Sequence, residues 1–366
     1  MSRPRVLFVG RTRYRLPLSR SLAQKFEALG GELDVRVLAS ALPGSAPGDR
    51  TFTLVPPFRV RRLDGLAFWL ALPSRTARLL REFRPDAVVC QTAYDAAAAL
   101  LARRIARVPA RIVVEVHGDW RTSTRLYGAS ARRLVGKLGD SVAAAALRRA
   151  DAVRTVSPFT AGLVRELGLE PAADFPAFMD IEPFVGPAVP LPSEPAALFV
   201  GVLEAYKNVD GLARAWRLAA PRVPNASLRL IGKGTRADVA EALVREHGAR
   251  WDRELPSGAV AAALDDAWVL VLPSRSEGMG RVLVEAFCRG RGIVGTRAGS
   301  IPDLVADGVS GVLVEPDDPA ALADALVRVL SDRALASQLG AGARAAAGPW
   351  LQTPAEYARR MRVLVT

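Results

Sequence analysis

Two carboxylates and a glycine-containing loop lie close together between residues 268 and 315. The apolar run Trp268–Leu272 predicts a strand buried on both faces, and apolar residues at helical spacing begin directly after the loop at 274–280. A loop that leads into a helix N-terminus can hold an anion, because backbone N–H groups and the positive end of the helix dipole point into it. Glu277 lies within this loop, and Glu285 lies about two helical turns further on.

These carboxylates indicate a ligand with hydroxyl groups as well as an anionic group. A carboxylate would repel phosphate, so Glu277 and Glu285 are better suited to hydroxyls. Carboxylates only accept hydrogen bonds, and the vicinal diol of a ribose or hexose offers two donors. Phosphate between hydroxyl-bearing groups describes a sugar nucleotide.

The same stretch carries a family resemblance. The segment PSRSEGMGRVLVEA, with Glu277 and Glu285 in it, is followed by GTRAGSIPDLVADGVSGVLVEPDDPAALADAL. Together they closely resemble the retaining glycosyltransferases of the GT-B fold, in particular family 4. The resemblance implies an α/β protein with two Rossmann-like parallel-sheet domains facing a cleft and a C-terminal helix that crosses back. It also implies transfer of a sugar from a nucleoside-diphosphate sugar, of UDP or GDP type, to a hydroxyl of a glycan, lipid or small molecule.

Residues for the leaving diphosphate can be assigned in this framework. The backbone amides around Gly280, Arg281 and Val282 are the first candidates. Lys207 is the second, because it follows a strand at the entrance of the next helix. Relatives commonly carry an arginine as well in that loop, and its position falls on Val202. Arg281, or an arginine of the GRTRYR segment (residues 10–15), is expected to supply the missing charge.

The resemblance assigns the other donor contacts. It implies that Glu277 grips the transferred sugar and Glu285 the ribose hydroxyls; the alternative for Glu285 is an ordinary exposed helix carboxylate. The remaining donor-binding candidates are Gly10, Gly232, Lys233, Trp251, Gly278 and Met279. Trp251 lies where relatives hold the base, and simple packing is the alternative explanation.

His117 is the third catalytic candidate, with Glu277 and Lys207. It follows a strand at its carboxyl end, where ligands bind in open α/β sheets. In similar enzymes a histidine at this position lies by the donor sugar and the acceptor. The acceptor-binding candidates are Asp119, Trp120, Arg11, Arg13 and Arg15. The three arginines are predicted to lie in a loop after the first strand, either as an anion-binding acceptor pocket or as a solvated loop.

Charge is distributed unevenly along the chain. Residues 1–185 hold 29 of the 50 Lys and Arg but 17 of the 37 Asp and Glu, a net +12, out of +13 in total. A basic N-terminal half indicates an anionic partner, such as a phospholipid surface, a phosphorylated acceptor or nucleic acid. Residues 59–84 interleave arginines with Phe68, Trp69, Leu70 and Leu72, which suits peripheral membrane contact or a core-packing helix with a basic outer face.

The domains are predicted as 1–182 for the acceptor, a proline-rich linker at 183–195, 196–352 for the nucleotide sugar, and a terminal helix at 353–366 that packs on the N-terminal domain. The segment 18–29 is predicted to be a helix that ends at Gly30-Gly31.

The two lone cysteines predict a protein of the reducing cytosol. Within the cytosol, the inner face of the membrane is the alternative location. No DxD pair or Cys/His cluster is present, so no essential metal and no resident cofactor are expected.

Two other classes of protein remain as alternatives. A nucleotide-sugar epimerase of the same fold would convert the donor with no acceptor present. A nucleic-acid-binding protein is suggested by charge alone, without a recognisable recognition module.

Overall fold

The computed structural model describes residues 3–60, 64–121 and 132–366, with residues 132–135 as backbone only. The chain forms two compact units. Unit 1 comprises Met1–Met179 and Gln352–Thr366, and unit 2 comprises Asp180–Leu351. Each unit is built on a parallel sheet, so the predicted α/β class with two Rossmann-like domains is confirmed.

Unit 1 contains a seven-stranded sheet in the order β3-β2-β1-β4-β5-β6-β7. Its strands are β1 (Arg5–Tyr14), β2 (Asp34–Ala41), β3 (Phe52–Val55), β4 (Ala87–Cys90), β5 (Arg111–Val116), β6 (Ala152–Thr155) and β7 (Ala173–Asp174). Its first helices are α1 (Arg20–Glu32), α2 (Asp64–Phe83), α3 (Ala93–Ala106), α4 (Arg132–Arg149) and α5 (Pro158–Arg165). The central strands are almost wholly apolar because helices cover both faces of the sheet.

Unit 2 contains a six-stranded sheet in the order β10-β9-β8-β11-β12-β13. Its strands are β8 (Ala196–Val200), β9 (Ser227–Ile231), β10 (Arg250–Asp252), β11 (Val269–Leu272), β12 (Gly292–Thr296) and β13 (Gly311–Val314). Its helices are α6 (Val209–Ala219), α7 (Ala237–His247), α8 (Ser257–Asp265), α9 (Arg281–Cys288), α10 (Ile301–Leu304), α11 (Pro319–Leu330) and α12 (Arg333–Ala346).

The last helix, α13 (Pro354–Val365), belongs to unit 1. It packs against α1, and the Arg362 guanidinium lies 3.0 Å from the Glu32 carboxylate. Tyr357 and Met361 are buried on one face of the sheet. The predicted linker at 183–195 lies within unit 2, where Arg291 and Arg344 donate hydrogen bonds to the carbonyls of Val189 and Gly186.

The prediction of a loop at residues 10–15 is wrong. Strand β1 continues through GRTRY to Tyr14, with an irregularity between Val9 and Arg13 after which Arg13 pairs with Ser40. A partner strand supplies hydrogen bonds that a sequence rich in arginine does not predict by itself. The arginines 11 and 13 therefore project from a strand.

The predicted end of the first helix is also wrong. Helix α1 passes through Gly30 and Gly31 and ends at Glu32, where the Leu33 amide donates to the Leu29 carbonyl at 2.8 Å. Glycine permits a left-handed stop but does not require one. Packing of α1 against α13 favours the helical conformation instead.

Helix α2 continues through Pro73 as one element of 20 residues. Phe68, Leu72 and Leu80 are buried in the core of unit 1, whereas Leu66 and Leu70 are exposed. This is the pattern of the core-packing alternative. Membrane contact through residues 59–84 stays a prediction, and residues 61–63 of that segment lie outside the described residues. Within the described chain, each helix is too short or too polar to cross a bilayer.

Candidate active site

The strand order of unit 2 reverses between β8 and β11. Loops that follow the two strands at such a switch point diverge to opposite faces of the sheet, and they leave a crevice at the carboxyl ends of the strands. Lys207 lies in the connection after β8, and Glu277 lies in the loop after β11. The topology therefore brings the two predicted residues to one crevice.

Lys207 and Glu277 form a buried ion pair. The Lys207 Nζ donates to Glu277 Oε1 at 2.5 Å, and the Ser274 hydroxyl donates to the same oxygen at 2.6 Å. The lysine and glutamate side chains are 11% and 8% exposed. Charges this far from water persist only when they are paired and hydrogen-bonded, so this pair orders both loops.

The backbone of Glu277 is held by the segment after β12. The Ser300 amide donates to the Glu277 carbonyl at 3.0 Å. Gly299 has a φ of +55°, and a Cβ at this position would lie 2.3 Å from the Glu277 carbonyl oxygen. Only glycine allows this close approach, which sets the direction of the Glu277 side chain.

Arg275 joins the two loops and was missed by the sequence analysis. Its amide donates to the Tyr206 carbonyl at 2.7 Å, and its guanidinium donates to the Ala205 carbonyl at 2.5 Å. The same guanidinium bonds Asp317 at 2.7 Å. Arg275 thus fixes the turn that carries Lys207. A basic residue two positions before Glu277 was the sequence feature that could have identified it.

Helix α9 begins at the crevice with Gly280 at its N-cap, where φ is +60°. The Leu283 amide donates to the Gly280 carbonyl at 2.8 Å. The amides of Arg281 and Val282 have no acceptor among the described residues, as an anion site at a helix N-terminus requires. Gly278 and Met279 complete the loop, with Met279 buried.

Glu285 lies one helical turn after Arg281 on α9. Its carboxylate makes no hydrogen bond or ion pair with the described residues. Burial raises the pKa of Glu285 above its ordinary value, although Arg281 and Lys207 act in the opposite direction. A largely desolvated carboxylate without a donor is poised to accept hydrogen bonds from a ligand.

The loop after β9 contains Gly232 and Lys233, and Gly232 is the hydrogen-bond partner of Trp251. Gly232 has a φ of +146°, and a Cβ there would lie 1.9 Å from the Gly201 carbonyl oxygen. The Trp251 indole donates to the Gly232 carbonyl at 2.9 Å and its ring packs on the core of unit 2, so the packing explanation for Trp251 is satisfied. Lys233 is exposed and pairs with Glu254 at 2.5 Å.

In unit 1, His117 follows β5 at its carboxyl end, as predicted. The ring is 41% exposed and its Nε2 lies 3.4 Å from Glu115 Oε2. Glu115 is buried against Arg154, which also donates to the Phe175 and Pro176 carbonyls at 3.0 and 2.7 Å. Burial would raise the pKa of Glu115, but the Arg154 guanidinium and His117 hold it well below its ordinary value.

The Glu115–Arg154 pair was also missed. Each residue lies in a largely apolar strand, and these two strands are neighbours. Because buried charges are almost always paired, a carboxylate and an arginine in adjacent buried strands were the signal that could have found the pair.

Arg11 and Arg13 both contact Asp64, at 2.9 and 3.3 Å. The Phe58 amide and the Arg11 guanidinium hold the pKa of Asp64 below its ordinary value. This carboxylate neutralises part of the predicted cationic pocket, and an acid near the start of the basic stretch 59–84 was the signal for it. Arg15 donates to the Pro43 carbonyl at 3.3 Å.

The remaining candidates of unit 1 have structural contacts. Gly10 lies against Gln91, since a Cβ at this position would be 2.6 Å from the Gln91 Oε1. Asp119 accepts from the Arg121 amide at 2.9 Å, and Trp120 is buried in the core. Their predicted ligand contacts stay predictions.

Relatives in sequence match parts of the chain. D-inositol 3-phosphate glycosyltransferase of Corynebacterium diphtheriae is 32% identical over 155 residues, which cover 40% of this chain and 36% of that protein. The glycogen synthase of Mycobacterium tuberculosis is 35% identical over 152 residues, covering 40% and 36%. The matched part thus spans a little over a third of the length of these relatives.

Solved structures match the whole chain. Sucrose-phosphate synthase from Thermosynechococcus elongatus has a TM-score of 0.80 at 19% identity and covers 99% of this chain and 98% of that one. Anabaena HepE in complex with UDP-glucose has a TM-score of 0.69 at 16% identity, covering 98% and 99%. These similarities show the fold.

Two family models match successive parts of the chain. The model of the glycosyl transferase 4-like domain matches residues 18–173, and the model of glycosyl transferases group 1 matches residues 188–346. The chain therefore belongs to the family 4 type of glycosyltransferases with the GT-B fold.

Proposed function

We propose that this protein transfers a sugar, with retention of anomeric configuration, from a nucleoside-diphosphate sugar of UDP or GDP type to a hydroxyl acceptor. The observation that carries the proposal is the Lys207–Glu277 pair at the switch point of unit 2, beside the uncapped amides of α9. One crevice therefore contains a cation, an anion-binding helix end and a carboxylate that can accept hydrogen bonds from sugar hydroxyls. HepE, which has the same fold, was solved with UDP-glucose, and this supports a UDP donor.

The proposed roles follow from charge. The amides of Arg281 and Val282 bind the diphosphate, and Lys207 stabilises the negative charge that develops as it leaves. Glu277 accepts hydrogen bonds from the transferred sugar, and Glu285 accepts them from the ribose. Lys207 must then exchange part of its contact with Glu277 for a phosphate oxygen, which leaves Glu277 able to bind a sugar hydroxyl.

The proposed step needs no covalent intermediate. The bond from the anomeric carbon to the diphosphate oxygen breaks while the acceptor oxygen bonds to the same face of the carbon. The departing phosphate oxygen takes the acceptor proton, so no further base is required. In this proposal the acceptor is bound by unit 1, with His117 beside it, and Arg11, Arg13 and Arg15 favour an anionic acceptor.

A donor screen tests the proposal. Purified protein is incubated with UDP-, GDP- and ADP-sugars, and release of the nucleoside diphosphate is measured with and without EDTA. We expect slow hydrolysis of one donor, unaffected by EDTA and lost in Glu277→Gln. The matched control is Arg222→Met with Asp324→Asn, an exposed ion pair of unit 2, which should turn over like the wild type. Epimerised donor without release of diphosphate, or no thermal shift with any donor, would overturn it.

Glu285→Gln is expected to stabilise the protein and to weaken its donor binding. Because the pKa of Glu285 is raised by folding, its ionisation opposes folding as the pH rises from the unfolded pKa through the folded one. Glutamine removes that penalty at neutral pH but is a weaker acceptor for the ribose diol. We expect a higher Tm without donor and roughly tenfold weaker donor binding by calorimetry. A lower Tm, or unchanged affinity, would contradict this assignment.

A further inference from the structure

The excess positive charge of the N-terminal half is not explained by the proposed site. In a parallel α/β unit, each helix ends near the amino end of the following strand, so the helix C-termini gather at one edge of the sheet. In unit 1 this edge carries Arg104 and Arg107 from the end of α3 and Arg111 from the start of β5. Arg359 and Arg360 of α13 adjoin it. We call these five residues the amino-edge surface.

The surface is continuous because Arg111 belongs to two adjoining depressions. One, of about 810 Å³, is lined by Arg104 and Arg107. The other, of about 330 Å³, is lined by Arg359 and Arg360. All five arginines therefore face one region of unit 1, on the opposite edge of the sheet from His117.

The nearby acids offset only part of the charge of this surface. Asp151 is bound to Arg103 at 2.5 Å. Asp86, which accepts from the Arg5 amide at 2.7 Å, and Glu356, which accepts from the Thr353 amide, keep their negative charge, so two carboxylates stand against five arginines. None of the five arginines of the amino-edge surface has an ion-pair partner within the described ranges. A favourable interaction with a helix C-terminus would account for Arg104, but not for Arg111 on a strand or for Arg359 and Arg360 in the middle of α13.

The surface also has apolar parts. Val363, on α13, lines the smaller depression and is 76% exposed. The smaller depression is walled by Phe175, and the Arg360 guanidinium lies 5.7 Å from the centre of that ring. Aliphatic side chains among unpaired arginines complement an amphiphilic anion better than a uniformly polar one such as nucleic acid.

We propose that the amino-edge surface docks unit 1 on an anionic phospholipid bilayer. The arginines bind lipid phosphates, while Val363 contacts the upper acyl chains. Docking by this edge leaves the carboxyl ends of the strands, and His117, facing away from the lipid. The proposal does not depend on the glycosyltransferase activity, because binding is measured without donor or acceptor.

Flotation of the full chain with vesicles tests the proposal. We expect binding to vesicles of phosphatidylcholine mixed with phosphatidylglycerol, and none to phosphatidylcholine alone. Each of the double variants Arg359→Gln/Arg360→Gln and Arg104→Gln/Arg107→Gln should bind roughly thirtyfold more weakly. Val363→Ser should lose about tenfold, with the salt dependence of the wild type. The matched control Arg245→Gln/Arg328→Gln removes the same charge from unit 2 and should bind like the wild type.

Three results would overturn the proposal. An equal loss in the control pair would mean that net charge alone drives binding. Loss in Leu66→Ser/Leu70→Ser with full binding in both arginine pairs would assign lipid contact to α2. Equally tight binding of an RNA homopolymer, unchanged by Val363→Ser, would identify the partner as a nucleic acid. Circular dichroism of each variant establishes that it is folded.

Discussion

Lys207→Met is expected to lower the free energy of unfolding by about 3–5 kcal/mol and to reduce donor turnover at least about a hundredfold. The loss of stability arises because the buried Glu277 carboxylate would keep only the Ser274 hydroxyl as a partner among the contacts described. The loss of turnover arises because no cation would stabilise the leaving diphosphate. Denaturant unfolding and diphosphate release measure the two effects separately.

The double variant Lys207→Met/Glu277→Gln separates structure from chemistry. It removes both buried charges, so most of the lost stability should return, since a neutral pair of similar size has no charge to desolvate. Turnover should not return, because the cation and the sugar-binding carboxylate are both absent. The exposed Arg222–Asp324 pair, with both partners replaced, should change stability by less than about 1 kcal/mol. Recovery of turnover in the double variant would make Lys207–Glu277 a purely structural pair.

Arg154→Met is expected to destabilise unit 1 by about 3–5 kcal/mol at neutral pH and to reverse its response to acid. In the wild type the pKa of Glu115 is held below its ordinary value. Its contribution to stability is therefore complete above the unfolded pKa of about 4.3 and is lost as the pH falls through the folded value. Without Arg154, burial prevails and raises the pKa of Glu115. The variant should then gain relative stability as the pH falls and this carboxylate takes up a proton.

Thermal unfolding between neutral and acid pH checks this reversal. The double variant Glu115→Gln/Arg154→Met should recover stability at neutral pH and lack this pH dependence in either direction. His117→Ala is the control, because its ring contacts the same carboxylate only at 3.4 Å; it should lower Tm less than Arg154→Met and keep the wild-type direction of the pH response. Parallel pH profiles for Arg154→Met and the wild type would refute the role assigned to the pair.

Much of the architecture could be predicted from the sequence. Alternation of apolar strands with helical segments is a local signal, and it identified two parallel sheets and put Lys207 and Glu277 after strands β8 and β11. The errors occurred where a distant element determines the backbone. Strand β1 extends to Tyr14 because β2 pairs with it, and α1 crosses Gly30-Gly31 because α13 packs on it.

The sequence by itself determined the fold class, the family and the loops in which the candidate site lies, because each depends on residues close together in the chain. Only the tertiary structure decided which charges meet. Lys207 binds Glu277 across 70 positions, Arg154 binds Glu115 across 39, and Asp64 binds Arg11 across 53. Buried charges must find partners, but their partners are set by strand order and by which loops share a sheet edge, and a linear pattern contains neither.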